Sequence, residues 1–154
     1  MTEARARYPG ELAAPSDLVR LADEYRQAAV VIARLGRRGE PVSRAPYRLA
    51  AIHAVELYLN AHLLHVGHEP GDIRGLRHDL AARTALSISG GLALRKRTAA
   101  HLKAMTGSRE YLVARYSPEL TSTFSQLNRL AATLEEVADK VSSAVKAGGS
   151  PESR

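Results

Sequence analysis

The chain has 154 residues, 45% of them hydrophobic, which is enough for one domain with a core that needs no covalent staples. It has no cysteine, so disulfides, thiolate zinc sites and cysteine nucleophiles are all excluded, and a reducing, cytoplasmic setting is the expectation. The formal charge of +6, from 22 Lys and Arg against 16 Asp and Glu, permits a polyanionic partner without requiring one.

Residues 1–15, with Pro9, Gly10 and Pro15, read as a flexible arm without an export signal. Ser16 and Asp17 offer an N-cap for a first helix. Its apolar face would be Leu18, Leu21, Tyr25, Ala28, Ile32 and Leu35, and Gly36 would stop it. An Arg-, Gly- and Pro-rich loop leads to a second helix over residues 47–66, apolar almost all round and therefore expected at the centre of the fold. Leu49, Ile52, Leu59, Leu63 and Val66 would be buried, with Ala50, Ala54 and Ala61 allowing close approach. His53, Glu56 and Asn60 fall within about 60° of one another at roughly 100° per residue, forming one inward polar stripe. Polar groups placed there need partners, so the stripe is expected to brace neighbouring helices.

Gly67 and Pro70 end that helix. A third is expected from about residue 73 or 76 to 89, with His78-Asp79 near its start, where Asp suits the free amides and the helix dipole. Beyond Gly90-Gly91, the positions Leu94, Thr98, His101, Met105, Leu112 and Tyr116 trace a long fourth helix, with a kink at Gly107-Ser108 and a stop at Pro118. Thr121 or Ser122 would cap a fifth helix marked by Phe124, Leu127, Leu130, Leu134, Val137 and Val141, and the tail over 148–154 is expected to be disordered. The expectation is an all-α, up-and-down antiparallel bundle of about five helices over residues 16–147, with a helical dimer face. No run is apolar enough to cross a membrane.

Several chemistries lack their parts. Gly90-Gly91 has neither a following Lys-Ser nor a spaced third glycine, and there is no serine nucleophile elbow and no His-Glu-x-x-His. His62, His65 and His68 are spaced like metal ligands, but His68 lies past Gly67 and Glu69 is the sole adjacent carboxylate, so no metal and no cofactor are expected. Arg95, Lys96, Arg97 and Lys103 form a basic stretch that reads as a solvated face.

Three segments in order carry a family resemblance: Ala51, Ala54, Glu56 and Leu57 in the central helix, then His78, Asp79 and Leu80, then Tyr111, Arg115, Tyr116 and Pro118. In this the chain resembles the HEPN family of helical bundles over about residues 17–145. The resemblance implies a dimeric bundle whose catalytic members are metal-independent ribonucleases with a late Arg-x(4–6)-His motif. It also implies pairing with a nucleotidyltransferase or an antitoxin partner. At the corresponding place this chain has Arg109 followed by Arg115, so a guanidinium stands where the imidazole would be. Arginine holds its proton near neutral pH, so it can grip a phosphate but cannot shuttle protons.

The resulting expectation is a non-catalytic module, homodimeric, that binds RNA, a nucleotide or a protein partner. Arg109, Arg115 and Tyr116 would make the contacts, and Glu56 and His78 would arrange them, with Arg115 and His78 as partners of Glu56. Two other pairs meet the ribonuclease spacing by count, Arg95 with His101 and Arg48 with His53, but their ends diverge by about 120° to 140° on a straight helix. The enzymatic alternative is a ribonuclease using Arg95 and His101 across a dimer. A third alternative is a purely structural dimerising subunit, with His101 as a packing residue on an apolar face.

Overall fold

A computed structural model describes residues 8–118 and 126–148. The expected cap residues Thr121 and Ser122, the apolar Phe124, the arm before Tyr8 and the tail beyond Gly148 lie outside the described residues. The fold is an all-α bundle with no strand among the described residues. Its elements are α1 (Pro15–Ile32), α2 (Ala45–His65), α3 (Pro70–Gly75), α4 (Leu80–Ser89), α5 (Lys96–Gly107), α6 (Glu110–Tyr116) and α7 (Leu127–Ala147). Two short 3-10 turns, Ala33–Leu35 and Pro41–Arg44, connect α1 to α2. No described helix is long and apolar enough to cross a membrane.

As its composition demands, α2 runs through the middle and packs against α1, α3, α4, α6 and α7. Ala51, Ala54, Val55, Leu59, Ala61 and Leu63 are completely enclosed. Closing one side is α7, whose Leu130, Leu134, Val137, Val141 and Val145 follow helical spacing into the core. Polar ties fix the register of these layers. The Tyr58 hydroxyl of α2 donates to Asp23 of α1 at 2.5 Å, and Arg26 of α1 pairs with Glu135 of α7. Burial and the Asp23 carboxylate together hold the Tyr58 phenol well above its ordinary pKa, so it stays a donor.

The first helix begins two to three residues earlier than expected. Ala14 occupies the cap position and Pro15 opens the helix, while Asp17 reaches back to accept from the Ala14 N–H at 2.9 Å. Its buried face is Val19, Ala22 and Ala29, about a quarter turn from the stripe of large residues. Leu21 and Leu35 are left 45% and 67% exposed, and Ala28 is exposed as well. Small side chains let α1 approach α2 closely along this face, and the larger ones are turned to the flank. Leu49 and Val66 at the ends of α2 are likewise partly exposed rather than buried.

Two expected helices are each divided. Arg77, at φ +52°, ends α3 and separates it from α4, which Asp79 caps by accepting from the Ala82 N–H at 2.9 Å. Arg109, also at φ +52°, turns the chain between α5 and α6, so Gly107-Ser108 marks a break rather than a kink. Tyr116 is consequently exposed, off the apolar face assigned to it.

The phase of α1 gives a direct test. Ala29→Leu should cost about 1 to 3 kcal/mol of stability through overpacking, whereas Ala28→Leu should change it by less than about 0.5 kcal/mol, both read from urea unfolding midpoints.

Candidate functional site

The polar stripe of α2 meets a buried arginine. Leu80, Arg83, Thr84 and Ser87 form the inward side of α4, so the Asp79 cap that starts this helix also points Arg83 at α2. The Arg83 side chain is 2% exposed; its Nε donates to Asn60 Oδ1 at 2.7 Å and its Nη2 lies 3.3 Å from Glu56 Oε1. Longer contacts of 3.4 Å run to the carbonyl oxygens of Ile73 and Asp79. Burial lowers the Arg83 pKa, and the charges of Glu56 and Asp79 oppose that shift. Glu56 Oε2 is met from the other side by His78 Nδ1 at 3.2 Å. The His78 ring is stacked at a tilt on Tyr111 of α6, centroids 4.6 Å apart.

These groups lie along a cleft of about 650 Å³ between α1, α2, α3 and the turn before α4. Its polar floor is His53, Glu56, Asn60 and Arg83, and Leu18, Leu21, Leu57 and Leu64 form apolar walls. Arg74, Arg77 and His78 stand at its edge, and Tyr8, Pro9 and Gly10 line it from the arm. The Tyr25 ring meets His53 edge-on at 4.5 Å. Burial lowers the His53 pKa, Glu56 works against it, and His78 and the Arg115 guanidinium add to the lowering. The cleft thus combines an apolar interior with more positive than negative side chains, and suits a ligand that carries negative charge on an apolar or aromatic body.

Of the residues singled out in the sequence, the cleft gathers His53, Glu56, Asn60 and His78. Arg109, Arg115 and Tyr116 do not line it. Arg109 sits at the cap of α6, and the Arg115 guanidinium lies 5.0 Å above the Tyr116 ring on an exposed face. Glu56 is held by His78 and Arg83, so Arg83 takes the place expected for Arg115. Tyr8, Arg74, Arg77 and Arg83 are the polar lining residues that sequence reasoning missed. Arg83 had one usable signal, its position on the same side of the helix as Leu80, Thr84 and Ser87.

The Arg95 and His101 pair is differently placed. The Arg95 side chain is 84% exposed and 3.9 Å from Glu136, whose other oxygen accepts from the Arg95 N–H at 2.8 Å. His101 is buried, with Nδ1 2.7 Å from Thr133 Oγ1. Burial, together with the charges of Arg129 and Arg48, pushes its imidazole down to a pKa of about 4. In the other pair matched by count, Arg48 is enclosed against Glu110 at 3.9 Å while His53 faces the cleft. No group of metal-binding side chains occurs among the described residues. No protein-family model matches the chain, and no characterised protein or solved structure matches it either.

Two predictions follow from these environments. Because the folded His101 pKa lies near 4 and its ordinary value is 6.5, the unfolded chain binds more protons between those values. Stability is therefore complete above pH 6.5 and falls as pH drops toward 4, by on the order of 3 kcal/mol from this group. Urea midpoints at intervals across that range should show the loss, and His101→Gln should flatten it, with His53 and His62 contributing a remainder of the same sign. For the buried pair, Glu56→Ala should cost about 3 kcal/mol by stranding Arg83, and replacing both as Glu56→Leu with Arg83→Met should recover much of it.

Proposed function

We propose that this chain is a HEPN-like helical module that binds and does not cleave, capturing a phosphate-bearing ligand in the α1–α2–α3 cleft. That ligand is a nucleotide, free or within an RNA chain, and the module acts as a homodimer in the cytoplasm. The observation that carries the reading is the cleft itself: apolar walls, a floor organised by the Arg83–Glu56–Asn60 network, and Arg74, Arg77 and His78 at the edge.

Guanidinium groups donate to phosphate oxygens in a fixed fork, and apolar walls receive a base or sugar. Glu56 serves as an orienting acceptor, since one of its oxygens already faces the Arg83 guanidinium and the other the His78 ring. Arg115 lies outside the cleft and contributes its charge toward His53. The net charge of +6 favours encounter with anions and makes capture sensitive to salt.

Two features favour binding over turnover. At the family's catalytic position the chain carries Arg115, which does not exchange protons near neutral pH. His101, the imidazole that matches the ribonuclease spacing with Arg95, is enclosed against Thr133 with a pKa of about 4, far from the range of an effective general acid or base at pH 7.

Calorimetric titration of the full chain with ADP and with a short single-stranded RNA should give binding that weakens as salt rises. Arg77→Asn, chosen because asparagine tolerates a positive φ, and His78→Ala should each weaken it by about 5- to 10-fold. The RNA should stay intact with and without chelator. Chelator-resistant cleavage that disappears in His101→Ala would replace this reading with the ribonuclease one.

A further inference from the structure

The chain places one of its own aromatic rings in the cleft. The Arg74 guanidinium lies 3.8 Å from the centroid of the Tyr8 ring, and Tyr8, Pro9 and Gly10 line the same space as Glu56, His78 and Arg83. The approach is built into the backbone. Gly10 adopts φ +87°, and the Glu11 and Ala13 N–H groups donate to the carbonyls of Tyr8 and Gly10 at 3.2 and 3.1 Å. This compact turn folds the arm back onto a cleft whose wall is the very next helix, through Leu18 and Leu21.

We infer that Tyr8 is an internal competitor, its ring filling a subsite under Arg74 that receives the aromatic ring of the ligand. This rests on the cleft being the ligand site, and it narrows the ligand to a nucleoside phosphate. The base replaces the Tyr8 ring beneath Arg74, and the phosphate turns toward Arg77 and His78. A guanidinium takes a flat aromatic ring in this way whether the ring is phenolic or a base. Tyr8 meets Arg74 through a ring contact at a solvent-facing edge, a contact that the ring of a ligand can replace. A ligand meets only the fraction of molecules with the arm out, and its apparent affinity falls by that fraction.

The test uses the full chain with ADP and inorganic phosphate as probes. Tyr8→Ala should tighten ADP by about five-fold or more, and Tyr8→Phe, which keeps the ring, should bind like the unaltered chain. Inorganic phosphate has no ring, so its affinity should be the same in all three. In the unaltered chain, saturating ADP should speed hydrogen exchange at the Glu11 and Ala13 amides as the turn is released. If the unaltered chain binds ADP and Tyr8→Ala binds it equally or more weakly, the competitor is overturned while the binding module stands. If Tyr8→Ala tightens phosphate as much as ADP, the ring subsite is overturned. If neither protein binds ADP, the proposed function itself falls, and this inference with it.

Discussion

A guanidinium with almost no contact with water must be surrounded by acceptors, and Arg83 imposes that requirement on everything near it. Its Nε takes Asn60, one Nη reaches Glu56, and the remaining donors turn to the carbonyls of Ile73 and Asp79. One side chain therefore ties the central helix to α4 and to the end of α3. Glu56 is fixed in turn, since its second oxygen meets His78, and His78 leans on Tyr111 of α6. Four helices are coupled through a network that reaches from full burial at Arg83 to the exposed edge at His78. A floor built this way is rigid where a ligand would rest, and its edge keeps cations available.

The second polar system, between α5 and α7, has the opposite character. Glu136 accepts from the Thr98 hydroxyl, the Arg95 backbone and Lys140, and these donors outweigh burial in holding its pKa below the usual carboxylate value. His101 is paired with Thr133 across the same interface. Arg95 and His101 match a catalytic spacing in sequence, yet the Arg95 backbone and the His101 ring are spent on joining two helices while the Arg95 side chain stands in solvent. A spacing counts residues along one chain, whereas chemistry needs a shared open space: His101 borders a shallow cleft of about 620 Å³ with Arg97 and Arg129, and Arg95 does not line it.

How much of this was legible follows from whether the signal is local. The central helix, the amphipathic α7 and the Asp79 cap were readable, because hydrophobic period and capping chemistry act within a few residues. The contact of Glu56 with His78 was readable as well, since a carboxylate on an apolar helix calls for a cation or hydrogen-bond donors. Arg83 as the principal partner was not, because its burial depends on the angle at which α4 meets α2. The breaks at Arg77 and Arg109 were only partly marked, by the Asp79 cap and by Gly107-Ser108 beside them: arginine itself is an ordinary helix former and gives no sign of the left-handed backbone it adopts there. The Arg74 contact with Tyr8 joins an arm to a helix far along the chain and leaves no periodic trace.

The phase of α1 connects packing to the cleft. Periodicity marks Leu18, Leu21 and Tyr25 as the face to bury, and a helix packed on large side chains would bury them against α2. Instead Ala22 and Ala29 lie against α2, where the gain comes from close backbone approach and dispersion over small side chains. Turning the helix this way moves Leu18 and Leu21 to the flank, beside the polar stripe, and sets the Tyr25 ring on edge against His53. If α1 were rotated to bury its large residues, they would cover His53, Glu56 and Asn60, and the stripe would be only a brace. The alanine contact is thus what leaves the cleft open and gives it an apolar wall, so the same choice of small residues that tightens the bundle also creates the space for a ligand.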